Sequence, residues 1–87
     1  MIQVSPSDCP RKTKILDELI GNKIRARRIS LNLSQDDLAV ALNITYQQVQ
    51  KYEKGINRVS ASRLYEVSKI LKIDFGYFFE NIEAGSE

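Results

Sequence analysis

The sequence predicts an all-α fold in which five short helices share one small core. Three observations support this fold class. Apolar residues recur at helical spacing along most of the chain, helix-capping residues stand before these runs, and no strand-like alternation extends beyond a few residues. At 87 residues the chain has the length of a single domain and is short for a large core. We therefore expect one compact helical bundle.

The composition divides the chain into a leader, a domain and a tail. Residues 1–13 contain both prolines and no periodic pattern, which is typical of a flexible leader. Residues 14–82 carry the periodic runs and form the predicted domain, and residues 83–87 form a predicted acidic tail. The single cysteine, Cys9, lies in the leader. Since no disulfide can form within the chain, we expect a reducing compartment.

Helices one and four are predicted from regular apolar spacing. Helix one covers 14–30 and ends in several arginines, whose charge complements the helix dipole. Helix four covers 61–72 and follows Ser60, a good N-cap residue. The inward residues of the two helices are Leu16, Ile20, Ile24, Leu64, Val67 and Leu71.

Helices two and three are two short capped helices joined by a tight corner. Ser34 followed by Asp37 is a Ser-x-x-acid variant of the capping box, and Thr45 followed by Gln48 repeats the signature. Between them, Asn43 tolerates the left-handed backbone that a tight corner needs. Two capped helices so close in sequence must cross steeply, which predicts a helix-turn-helix. Its inward residues are Leu38, Ala39, Leu42, Ile44, Val49 and Tyr52.

Helix five, predicted over 75–82, is short and unusually aromatic. Asp74 is an N-cap residue type, and Phe78 is placed to pack on Ile73 as a hydrophobic staple. We expect Phe75 and Phe78 to cover the core. The remaining large side chains would be exposed in a monomer, which favours a homodimer contact, although they could instead wrap the small core. These residues are Tyr77, Phe79 and Ile82.

The composition argues against several classes of function. The chain has no His and one Cys, so it lacks the usual zinc ligands and the usual catalytic imidazole. No nucleophile accompanies the acidic residues of the helix-turn-helix, which argues against an enzyme. No apolar run approaches the about 20 residues of a membrane span, and no secretory signal is recognisable. We expect a cytoplasmic protein without catalytic activity, cofactor, metal or membrane contact.

The charge of the chain is unevenly distributed. The net charge is +2, but residues 1–73 hold 13 basic and 7 acidic residues, which gives +6. Residues 74–87 hold four acidic residues and no basic one, which gives −4. A basic body with an acidic end fits a polyanionic partner.

The segment LSQDDLAVALNITYQQVQKYEKGINRVSASRLYEVSKILKID resembles the phage-repressor-like helix-turn-helix family, also called Xre-type or lambda repressor-like. The resemblance covers about residues 20–79. The predicted inward residues fall at the family's apolar positions, and Ala39 falls where the family has a small residue. Asn43 stands where glycine is commonest, and it is the mildest substitute for it. The resemblance implies a five-helix domain that binds double-stranded operator DNA as a dimer, with helix three in the major groove.

The resemblance also implies which residues contact DNA. Carried over by position, the residues that meet base edges are Tyr46, Gln47, Gln50 and Lys51. Those that meet phosphates are Gln35, Thr45, Asn57 and Arg58. The alternative for the first set is an ordinary solvated helix face. Arg28 and Glu53 match the family's buried ion pair, whereas Lys23, Arg25, Arg27 and Lys54 are read as solvated charge.

These inferences predict a sequence-specific transcriptional regulator that acts as a repressor on a (pseudo)palindromic operator as a homodimer. Two alternatives stay open within the same fold. One is an antitoxin-type or other protein-binding module, whose protein partner would bind the aromatic surface of helix five. The other is a controller protein of a restriction–modification system.

Overall fold

The computed structural model describes residues 9–80, with side chains described from residue 14 onward. This part of the chain contains four α-helices, one terminal 3-10 helix and no strand. The all-α prediction is therefore confirmed, and the predicted five helices correspond to four α-helices and a single 3-10 turn. The elements are α1 (Cys9–Ser30), α2 (Gln35–Leu42), α3 (Tyr46–Lys54), α4 (Ala61–Leu71) and the 3-10 helix (Phe75–Phe79).

The start of α2 is fixed by a complete capping box. The Ser34 hydroxyl oxygen accepts a hydrogen bond from the Asp37 N–H at 2.9 Å, and the Ser34 N–H donates to the Asp37 carboxylate at 2.8 Å. The hydroxyl oxygens of Thr45 and Ser60 act in the same way at the starts of α3 and α4. Each cap satisfies backbone donors that the helix itself leaves unpaired.

The helices α2, α3 and α4 each end at a residue whose backbone conformation lies in the left-handed region. These residues are Asn43 with φ 59°, Gly55 with φ 73° and Lys72 with φ 57°. The N–H groups of Asn43 and the next residue, Ile44, donate to the carbonyls of Val40 and Ala39 at 3.1 and 3.0 Å. The chain can therefore turn sharply after α2 without leaving these backbone groups unpaired.

The helices enclose one core, in which the predicted inward residues of α2 and α3 are buried or partly buried. Ile44 and Val59 lie in the connections and pack against this core from outside. Ala39 is 2% exposed at the crossing of α2 and α3, where a small side chain lets the helices approach. The buried apolar residues are Ile24, Leu38, Ala39, Leu42, Val49, Leu64, Val67, Leu71 and Phe78.

The structure differs from the sequence-based boundaries at both ends of the domain. The first helix begins at Cys9 rather than at Lys14, with Pro10 in its first turn, where a missing N–H costs nothing. The last helix is a 3-10 turn that ends at Phe79 instead of an α-helix that extends to residue 82, and Ile82 lies outside the described residues. The division into leader, domain and tail stays a prediction.

Asp74 is the N-cap of the last helix, as predicted, although its side chain makes no capping bond. One detail predicted for this helix is wrong. Phe75 is 39% exposed and does not cover the core, whereas Phe78 is fully buried. The Phe75 ring instead packs edge-on against Phe78, with 6.3 Å between centroids.

The capping box predicts a specific response to acid. The Ser34 N–H, and secondly its hydroxyl, lower the pKa of Asp37 from its ordinary value of 3.8. The folded pKa lies below the unfolded one, so the stabilisation is complete above the unfolded pKa and is lost as pH falls through the folded pKa. We expect Asp37→Asn to be less stable than the wild type near pH 6, and we expect this difference to be smaller near about pH 3. Urea unfolding at both pH values measures this. Asp36→Asn is the control, because it removes a charge from the same exposed turn and leaves both bonds of the capping box in place.

Candidate nucleic-acid interface

The outward face of α3 carries the four predicted base-contacting residues. Tyr46 is 45% exposed, and Gln47 and Lys51 are also exposed, while Gln50 is half-buried. Their spacing puts them on one side of the helix. The opposite side is the buried one, with Val49 and Glu53. The structure therefore brings the predicted base-contacting set together on a single polar, solvent-facing strip.

The starts of α2 and α3 each present backbone N–H groups that the helix itself leaves unpaired. Thr45 caps α3 with its hydroxyl oxygen, which accepts from the Gln48 N–H at 3.2 Å. Gln35 opens α2, and its side-chain Nε2 donates to Glu53 at 3.1 Å. Because an amide nitrogen carries two N–H donors, the second one of Gln35 is not used in this bond.

The other two predicted phosphate contacts, Asn57 and Arg58, lie in the loop between α3 and α4. The Asn57 N–H donates to the Lys51 carbonyl at 3.3 Å, which folds the loop back onto the last turn of α3. Arg58 is largely exposed, and its Nε lies 3.4 Å from Asp17 Oδ2 of α1. These two residues are thus at the opposite end of α3 from Thr45.

Arg28 and Glu53 form a buried, two-pronged ion pair between α1 and α3. Arg28 Nε and Nη2 donate to the two Glu53 carboxylate oxygens at 2.6 and 3.1 Å, and Nη1 donates to the Leu33 carbonyl at 2.8 Å. Glu53 also accepts from Gln35, so both charges are well supplied with partners. The pair links α1, the connection before α2, and the end of α3.

Two further arginines donate hydrogen bonds to carbonyls at the ends of helices, and the sequence pattern predicted neither contact. Arg27, predicted to be solvated charge, donates from Nε to the Leu71 carbonyl at 2.9 Å and so caps α4. Arg63 of α4 donates to the Leu42 carbonyl at 3.2 Å and caps α2. The prediction for Arg27 is wrong because its target is a backbone carbonyl far away in sequence, which side-chain periodicity does not reveal.

Gly21 and Gly55 bring α1 and α3 unusually close together. A Cβ added to Gly21 would lie 2.4 Å from the Tyr52 carbonyl oxygen, and one added to Gly55 would lie 2.7 Å from the Cα of Glu18. Gly55 also requires its positive φ. Glycine at these two positions therefore determines how close α3, with its polar strip, lies to α1.

The predicted dimer residues are not equivalent in the structure. Tyr77 is half-buried, packs against the core and lies under the Lys23 ammonium, 5.1 Å from the ring centroid. Phe79 is 44% exposed and borders an apolar groove of about 380 Å³ together with Leu16 and Phe75. Of the predicted residues that the structure describes, Phe79 is the more accessible one.

The fold and the capped helix pair define a helix-turn-helix domain, and comparison with known families agrees. The helix-turn-helix family model HTH_3 matches residues 24–78, which is most of the chain. The chain belongs to this family, whose type is Xre or lambda repressor-like, as the sequence predicted. The family consists of regulatory DNA-binding domains rather than enzymes. Within residues 9–80 no helix is long and apolar enough to cross a membrane.

Relatives with curated names are similar over nearly the whole chain. An uncharacterised HTH-type transcriptional regulator of Sinorhizobium fredii is 47% identical over 93% of this chain and 57% of its own length. An uncharacterised transcriptional regulator in the ATPase CF(0) region of Rhodospirillum rubrum is 42% identical, over 92% of this chain and 74% of its own length. The chain thus spans little more than half the length of the first of these relatives.

Solved structures share the fold. The clp gene regulator ClgR from C. glutamicum superposes with a TM-score of 0.72 at 25% identity, over 82% of this chain and 90% of that chain. An HTH_3 family transcriptional regulator from Vibrio cholerae gives the same TM-score at 23% identity, over 79% of this chain and 39% of that chain.

Proposed function

We propose that this protein binds double-stranded DNA sequence-specifically and regulates transcription as a repressor. The observation that carries the proposal is the polar, solvent-facing strip of α3, which stands on a helix-turn-helix core. Glutamine can pair with adenine through two hydrogen bonds, and lysine can donate to the acceptors of guanine in the major groove. Gln47 and Lys51 are the exposed members suited to this, and Tyr46 can contact a thymine methyl or a phosphate.

Phosphate contacts would flank this strip at both ends of α3. The N–H groups at the starts of α2 and α3 favour anions, near Gln35 and Thr45. Asn57 and Arg58 supply the second group of contacts. Such contacts set register and affinity, whereas the base-contacting strip sets the choice of sequence. Binding to chromosomal DNA would place the protein in the cytoplasm.

We propose further that two copies bind a (pseudo)palindromic operator. Support comes from the exposed rings of Phe75 and Phe79 beside the apolar groove, since a second copy would remove this apolar surface from water. Twofold symmetry would then put two α3 helices about 34 Å apart, one turn of DNA. A homodimer of this kind would block polymerase simply by occupying the operator.

The proposed function is tested by selecting binding sites from a pool of random duplexes. We expect an enriched site with inverted symmetry, and affinity that falls steeply with salt. Gln47→Ala should cost about 1–3 kcal/mol at one or two base positions and relax the preference there. Arg58→Ala should instead weaken all sequences alike, which makes it the matched control. If the pool yields no enriched site, the sequence-specific claim fails, and an enriched site without symmetry would refute the dimer.

A further inference from the structure

The first helix and the loop after α3 share a cleft that contains several charged side chains. The cleft has a volume of about 520 Å³, and Arg58 stands at its edge with 66% of its side chain exposed. The backbone on both sides of Arg58 is held in place. The Asn57 N–H donates to the Lys51 carbonyl of α3, and Val59 packs against the core. The charged residues that line the cleft are Lys14, Asp17, Glu18, Lys54 and Arg58.

Asp17 and Arg58 face each other within this cleft. The Asp17 side chain is 16% exposed, and its Oδ2 accepts from Arg58 Nε at 3.4 Å. The guanidinium is a rigid plane with five N–H donors, so a bond at Nε fixes the direction of the others. Among residues 14–80, whose side chains are described, Arg58 makes no second side-chain hydrogen bond. The terminal nitrogens of Arg58 are therefore left for another acceptor.

We propose that Asp17 is a positioning residue for DNA binding, which holds Arg58 with its two terminal nitrogens ready for one phosphate. The inference rests on the proposed function, which assigns Arg58 to a phosphate. Arginine binds phosphate through two parallel N–H bonds, and this geometry demands a defined guanidinium plane. An arginine oriented in advance loses less side-chain freedom on binding. An exposed pair of this kind adds little to folding stability, so its effect is on binding.

The neighbouring residue Glu18 supplies the control that the experiment needs. Removing any carboxylate beside DNA raises affinity by relieving repulsion, which would mask a loss of positioning. Glu18 lines the same cleft and is exposed, and it makes no hydrogen bond to Arg58. Asp17→Asn and Glu18→Gln each remove one negative charge, but only the first weakens the bond to Arg58, because it replaces the charged acceptor with a neutral amide.

The experiment measures binding of a fluorescein-labelled duplex recovered by the selection, by anisotropy at several salt concentrations. Asp17→Asn should bind about fivefold more weakly than Glu18→Gln. Its salt slope should also be smaller by about 0.9, the value for one phosphate contact. In an Arg58→Ala background the two substitutions should be equal. Circular dichroism checks that all variants keep the fold.

The outcomes separate this inference from the function on which it rests. Equal or stronger binding by Asp17→Asn than by Glu18→Gln overturns the positioning role. So does a difference between the two that persists without Arg58, because the effect would then not act through that residue. If the wild type binds no duplex at all, the proposed function and this inference fail together.

Discussion

Replacement of Arg28 by alanine should lower the free energy of unfolding by about 3–5 kcal/mol. The variant would leave the Glu53 carboxylate buried, with 4% exposure, and without the two short bonds that now neutralise it. It would also remove the donor to the Leu33 carbonyl. A domain of this size has a total free energy of unfolding of about 4–13 kcal/mol, so the expected loss is a large part of the total. Urea unfolding followed by circular dichroism measures the loss.

The control for this prediction is Arg25→Ala, on the same helix. Arg25 is exposed, and its removal should change stability by less than about 0.5 kcal/mol. Arg27 is not a suitable control, because it caps α4 through the Leu71 carbonyl. Equal unfolding midpoints for Arg28→Ala and Arg25→Ala would contradict the prediction.

A double variant separates the net contribution of the ion pair to stability from the cost of removing one of its partners. Arg28→Met combined with Glu53→Leu removes both charges and keeps much of the buried volume. Buried ion pairs replaced in this way by apolar residues are often no less stable. We therefore expect the double variant to recover most of the stability that Arg28→Ala loses. The pair would then contribute by fixing how α1 and α3 meet, more than by net stabilisation.

The sequence was sufficient for features that depend on neighbours in the chain. Capping depends on residues three apart, so the starts of α2, α3 and α4 could be predicted at Ser34, Thr45 and Ser60. The corner residue Asn43 could be predicted too, because few side chains tolerate its positive φ. The residues of the polar strip on α3 came from the resemblance to the helix-turn-helix family, and helical spacing agrees with their lying on one side of the helix.

Features that depend on contacts between distant segments could not be read from spacing. Arg27 looks like any other basic residue at a helix end until α4 is placed beside it. Phe75 and Phe78 are equally apolar in sequence, and only their positions in the folded domain show that Phe75 is exposed and Phe78 is buried. The same holds for Asp17, whose contact with Arg58 joins residues 41 positions apart. Tertiary geometry therefore determines which of several similar residues carries a role.

Gly21→Ala gives the second large expected effect. Helix propensity and tertiary packing predict opposite signs for the change in stability that it causes. Glycine inside a helix is less favourable than alanine by about 1 kcal/mol, so propensity alone predicts that Gly21→Ala stabilises α1. The added Cβ would lie 2.4 and 2.5 Å from the carbonyl oxygens of Tyr52 and Glu53. These atoms are backbone and cannot rotate away, so α1 must move from α3. We expect a net loss of about 2–3 kcal/mol, measured by urea unfolding.

Gly76→Ala is the matched control, since a Cβ there would meet nothing within 4 Å. It should be neutral or slightly stabilising because it restricts the unfolded chain. If Gly21→Ala is as stable as Gly76→Ala, the close approach of α1 and α3 is not a real constraint. Moving α1 would also stretch the bonds between Arg28 and Glu53, which join the same two helices. The losses from Gly21→Ala and Arg28→Ala should therefore be less than additive when the two are combined.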